Sequence, residues 1–99
     1  WHKPPDEPSP ISSTRSRGWN VLAALAGEMS RAPVSAGLVT AATDSRSLQP
    51  VATDVYRFQP MRFSLASLQM IHGTNEHLTL ENLEFAVRFY ARLIATAAR

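Results

Sequence analysis

Two stretches of this chain carry apolar residues at helical spacing, and two shorter apolar runs lie between them. From Ser16 to Met29, the residues Trp19, Leu22, Leu25, Ala26 and Met29 recur three and four apart. That spacing predicts an amphipathic helix with Ser16 as its N-cap. Gly27 weakens its last turn and Pro33 stops it. The longer pattern starts after Thr79, a good N-cap, with Glu81 in the first turn where the helix dipole favours an anion. Its apolar stripe is Leu83, Ala86, Val87, Tyr90, Leu93, Ile94 and Ala97, and Glu84 and Arg88 pair at four-residue spacing on another face. Ser64 predicts one further short helical turn, reaching Gln69.

The run from Val34 to Ala42 is apolar without alternation and sits between a proline and a polar turn. Its length and flanks predict a buried strand covered on both faces, as in a parallel sheet. Val55-Tyr56-Arg57-Phe58-Gln59-Pro60 is rich in β-formers and ends in proline, which predicts a second short strand. The fold class expected from these elements is α/β: a partial three-layer sandwich in which a few mostly parallel strands are covered by two long helices. Pro4, Pro5, Pro8 and Pro10 keep the start of the chain extended. The domain reading is an extended Pro/Ser-rich linker over 1–14, then a folded portion over 15–99.

Composition narrows the function. Ninety-nine residues with 44% hydrophobic content make at most one small domain. Ten Lys and Arg against eight Asp and Glu leave a net charge of only +2, with the arginines dispersed, so no nucleic acid is expected as a partner. The chain has no cysteine, which excludes disulfides, thiolate zinc sites and cysteine nucleophiles. No apolar run approaches the ~20 residues of a membrane span, so no membrane partner is expected either, and the compartment stays open. Beginning at Trp1, the chain reads as a piece of something longer.

Two turns hold the candidate chemistry. Thr43-Asp44-Ser45-Arg46 follows the first expected strand, and ligand groups in open α/β sheets gather beyond strand carboxyl ends. His72-Gly73-Thr74-Asn75-Glu76 sets an imidazole on a short loop ahead of the long helix. Such a placement suits a metal ligand or a proton carrier, and equally a capped loop with a surface histidine.

The motifs add a family resemblance over roughly residues 7 to 95. Ile71-His72-Gly73-Thr74-Asn75-Glu76 is followed by Glu81-Asn82-Leu83 and a helix carrying Phe89-Tyr90. Glu7-Pro8-Ser9-Pro10-Ile11-Ser12-Ser13-Thr14 stands upstream. Gly37-Leu38-Val39, Ala42-Thr43-Asp44-Ser45-Arg46 and Val55-Tyr56-Arg57-Phe58-Gln59-Pro60, with Arg62, stand between. Together they resemble the C-terminal end of the two-zinc aminoacylase/carboxypeptidase family, which includes acetylornithine deacetylase, succinyl-diaminopimelate desuccinylase and glutamate carboxypeptidase. The carboxypeptidase S-like branch is the most similar.

The resemblance implies amide hydrolysis by a water activated at a pair of zinc ions, which polarise the carbonyl and lower the water's pKa. It makes His72 a zinc ligand, with Gly73 letting the backbone pass close to the metal and Glu76 orienting the turn. It places Thr43, Asp44 and Arg46 at the substrate, with the planar Arg46 guanidinium gripping a carboxylate. His77 stands where relatives carry arginine and reads as a surface residue. Ser47-Leu48 stand where relatives continue His-Tyr, which puts the local pocket in question. The family's His-x-Asp motif, its adjacent Glu-Glu pair, the remaining acidic ligand and the lid histidine have no counterparts here. The expectation is therefore a C-terminal fragment of a zinc metallopeptidase acting on dipeptides or N-acyl amino acids, inactive alone. Its partner would be the remainder of the catalytic domain or a companion chain, with residues 1–14 leading back from a lid domain. The alternative is a non-catalytic α/β interaction module.

Overall fold

Hydroxyl caps start every α-helix in the computed structural model, which describes residues 7–41 and 43–99. Ser16 Oγ accepts the Trp19 N–H at 3.1 Å and opens α1 (Arg17–Ser30). The helix runs through Gly27 and ends at Arg31, whose φ of 54° is left-handed. Ser64 Oγ accepts the Ser67 N–H at 3.1 Å and opens the short α2 (Leu65–Met70). Thr79 Oγ1 accepts the Asn82 N–H at 3.2 Å and opens α3 (Leu80–Ala97). Each cap satisfies one amide that the first turn leaves without a partner.

The core lies where α1 crosses α3. Leu25, Ala26, Ala86 and Phe89 are buried, Phe89 completely, and Leu22, Met29 and Leu93 pack against them. Hiding Phe89 contributes about 1.5–3 kcal/mol. Glu28 and Arg92 join the two helices at 2.9 Å, but both side chains are about half exposed, so the pair adds under about 1 kcal/mol.

Most of the expected α3 stripe is not the buried face. Leu83, Val87, Tyr90 and Ile94 remain 41–67% exposed, while Phe89, outside that stripe, is the most buried residue. The helix is apolar around much of its girth. Periodicity finds the helix but does not choose between an arc through Phe85, Ala86, Phe89 and Leu93 and its neighbour.

The α/β sandwich is overturned. Among the described residues there is no strand, and 47% are helical. Of the expected strand 34–42, Ala42 lies outside the described residues. The rest is irregular, with Val34, Leu38 and Val39 at 40, 87 and 41% exposure instead of being hidden on both faces. Residues 55–60 are irregular too, for a reason visible at Val55. Its N–H donates to Ser12 Oγ at 2.8 Å, and the same hydroxyl donates to its carbonyl at 2.9 Å. One side chain thus stands where a neighbouring strand's main chain would be. Pro8, Pro10 and Pro60 supply no amide hydrogen to a ladder.

Side chains alternate along this irregular segment all the same. Tyr56 faces α1, its ring centroid 5.9 Å from that of Trp19, and Phe58 faces α3, 5.1 Å from Phe89. Gly18 permits the first approach, because a Cβ there would stand 3.3 Å from the Tyr56 ring. Arg57, between them, points the other way. Of the expected linker 1–14, residues 1–6 lie outside the described residues. The remainder is fastened to this segment: Asp54 Oδ1 accepts the Ser13 N–H at 2.6 Å, and Tyr56 donates to the Ser13 carbonyl at 2.6 Å.

Candidate functional site

Residues 43–48 form a 3-10 turn, Asp44–Leu48, capped by Thr43. Thr43 Oγ1 accepts the Ser45 N–H at 3.2 Å, and the two hydroxyls are bonded to each other. The Arg46 N–H donates to the Thr43 carbonyl at 3.2 Å, and its guanidinium Nη2 donates to the Glu7 carbonyl. The candidate carboxylate grip is thus engaged with the N-terminal segment. Ser45 accepts from Arg57 Nε at 2.7 Å, and Arg57 Nη2 donates to Ser9 Oγ at 3.0 Å.

The histidine turn starts where α2 stops. Two residues of the turn are left-handed, His72 and Asn75, each at φ 60°, and no glycine in the described chain has positive φ. Left-handed backbone costs an L residue roughly 1–2 kcal/mol, although histidine is among the types found there more often. Gly73 is needed for space: its N–H donates to the Met70 carbonyl at 2.8 Å, and a Cβ would lie 3.2 Å from that oxygen and 3.3 Å from the Gln69 carbonyl. The glycine therefore serves the end of α2. Glu76 Oε2 accepts the His72 N–H at 3.0 Å and closes the loop. His77 Nδ1 lies 2.7 Å from the Asn75 carbonyl, a bond that requires the proton on Nδ1. Both imidazoles are exposed.

Among the described residues no three His, Cys, Asp or Glu side chains gather closely enough to hold a metal ion. A zinc site needs about four converging donors, and His72 offers one, so the described residues do not form a metal site by themselves. A cavity of about 250 Å³ opens between the N-terminal segment, α1 and residues 34–39 and 55–58. Arg57 lines it, whereas His72, Thr43, Asp44 and Arg46 do not. No helix among the described residues is long and apolar enough to cross a membrane. Sequence reasoning gives Arg57 no role. The available signal is its place between Tyr56 and Phe58, which sets it opposite two aromatics that lean on the helices.

The chain is similar to proteins named as carboxypeptidases and as N-fatty-acyl-amino acid synthase/hydrolases. The chain is 36% identical over 89 residues to probable carboxypeptidase S-like 2 of Dictyostelium discoideum, covering 89% of this chain and 17% of that protein. It is 33% identical over 90 residues to the N-fatty-acyl-amino acid synthase/hydrolase PM20D1 of Xenopus tropicalis, covering 89% and 18%. To probable carboxypeptidase S-like 1 of Dictyostelium discoideum it is 29% identical over 91 residues, covering 89% and 19%. The chain thus spans less than a fifth of the length of these relatives. No family model and no solved structure matches. The similarities support the metallopeptidase family for this stretch of polypeptide.

Proposed function

We propose that this chain is the part of a zinc-dependent carboxypeptidase or N-acyl amino acid hydrolase that contributes one metal-ligating histidine and one substrate loop. His72 is the ligand. Thr43, Asp44 and Arg46 form the loop that receives the substrate carboxylate. Gly73 and Glu76 hold the histidine turn in shape. One observation carries the reading: the similarity extends over 89% of the chain, a span long enough to take in both turns. The left-handed backbone of the turn, at His72 and Asn75, is compatible with that role, since strain is often kept at functional turns. The Glu76 bond to the His72 amide gives that strain its support.

When bound, zinc would supply the polarisation of the scissile amide. The other ligands and the group accepting the water's proton are expected from outside these residues, either the remainder of the catalytic domain or a companion chain. The isolated chain is then inactive. The test replaces the matching segment of the Dictyostelium discoideum carboxypeptidase S-like protein with this one and follows hydrolysis of N-acyl amino acids and dipeptides. An active graft that loses more than about 100-fold on His72→Ala, beyond what an outer partner costs, supports the reading. An active graft indifferent to that substitution overturns it.

The apolar arc of α3 favours a second reading, a chain kept for association and not for chemistry. Leu80, Leu83, Val87, Tyr90 and Ile94 are 41–83% exposed along it. A dilute chain that sediments as a monomer without a partner counts against that reading.

A further inference from the structure

We propose that Arg57 is the positioning residue of the 43–48 turn: it sets where Arg46 stands and ties that place to the segment at Ser9. The inference rests on the reading of Arg46 as the carboxylate grip and adds what holds it. No residue of the turn Asp44–Leu48 is buried, so packing does not fix it. It is held by hydrogen bonds to other parts of the chain: Arg46 donates to the Glu7 carbonyl, and Ser45 accepts from an arginine that sits in a bracket. Tyr56 and Phe58 are pinned on Trp19 and Phe89. The backbone between them is therefore held on both sides, and the Arg57 side chain projects from a fixed base. Its guanidinium reaches Ser45 through Nε at 2.7 Å and Ser9 through Nη2 at 3.0 Å, spanning segments 12 and 48 residues away.

Proton bookkeeping carries the effect further. A guanidinium only donates, so Ser45 Oγ accepts from it and keeps its own proton for Thr43 Oγ1. Thr43 Oγ1 in turn accepts the Ser45 N–H and caps the turn. The chain Arg57 to Ser45 to Thr43 is charge-assisted at its head, and each bond polarises the next. Lysine cannot copy it, because an ammonium lacks two donors fixed in one plane.

The test uses the whole 99-residue chain, isotope-labelled, with Arg57→Gln, Arg57→Lys and Ser45→Ala. The readouts are hydrogen exchange at the Ser45, Arg46 and Leu48 amides and the Arg46 Nε–H resonance, with the α1 and α3 amides as control. Expected is exchange in the turn faster by about tenfold or more and a moved Arg46 signal in all three variants, with helix amides unchanged. A merely stabilising Arg57 would speed exchange throughout. That result, or a turn unchanged in Arg57→Gln, overturns the proposal. Should Arg57→Gln unfold the chain, Ser45→Ala decides, since it deletes one hydroxyl from an exposed turn. Arg46→Ala in the active graft tests the other reading separately: an unchanged KM removes the carboxylate grip and leaves the Arg57 result standing.

Discussion

The phenol oxygen of Tyr56 and the hydroxyl of Ser16 lie 2.5 Å apart, and the direction of their bond follows from their other partners. Tyr56 has one proton, and the Ser13 carbonyl, 2.6 Å away, can only accept it. Ser16 therefore donates to Tyr56 and turns its lone pairs to the Trp19 amide. The N-cap of α1 and the anchor of residues 54–57 are one device.

Tyr56→Phe should thus remove two hydrogen bonds while leaving the cap in place, at a cost of about 1–2 kcal/mol. Ser16→Ala loses the cap as well, about 1 kcal/mol more. The two changes should couple, so that the double variant costs less than their sum. Urea unfolding of the three variants measures this, and strict additivity would show the residues to be independent.

Among the described residues Phe89 is the one completely buried large side chain, in contact with Phe58 on one side and α1 on the other. Phe89→Ala should cost about 3–5 kcal/mol, comparable to the whole stability of so small a chain. The expected result is loss of a cooperative thermal transition in circular dichroism.

His72→Gly should relieve the left-handed backbone and stabilise the histidine turn by up to about 1 kcal/mol. In the grafted enzyme the same change should abolish hydrolysis. A gain in melting temperature together with a loss of turnover is the pattern expected of a strained site. A loss of stability would mean that the imidazole itself holds the turn.

For Gly73→Ala the sign of the change decides between two causes. In open space at negative φ, alanine would stabilise by about 0.4–1 kcal/mol through the unfolded chain. Here its Cβ would meet the Met70 and Gln69 carbonyls at 3.2 and 3.3 Å, backbone atoms that move only if the end of α2 moves. The expected outcome is destabilisation of about 1–3 kcal/mol, with amide shifts confined to residues 69–76.

The two long helices are legible because each announces itself twice, by a capping hydroxyl and by a period, and the short one by its cap alone: Ser16, Ser64 and Thr79 all cap where expected. The sheet was misread because apolar runs resemble strands whatever pairs with them, and pairing is not a local property. At Val55 the partner is a serine side chain 43 residues away. The candidate turns were legible as motifs, but their internal geometry was not. The motif does not show that His72 and Asn75 take up the left-handed backbone of the turn while Gly73 leaves room for the carbonyls that end α2. Arg57 was hidden for another reason: its meaning depends on Ser9 and Ser45, which come together only in the folded chain.

The irregular course of residues 33–41 has a consequence for handling the protein. Among the described residues no main-chain hydrogen bond restrains this stretch, and its small and branched side chains stand open. A protease with a narrow pocket, such as elastase, should cut there before touching either long helix. Limited digestion should then give two pieces, separable by mass, that part at Val34 to Val39.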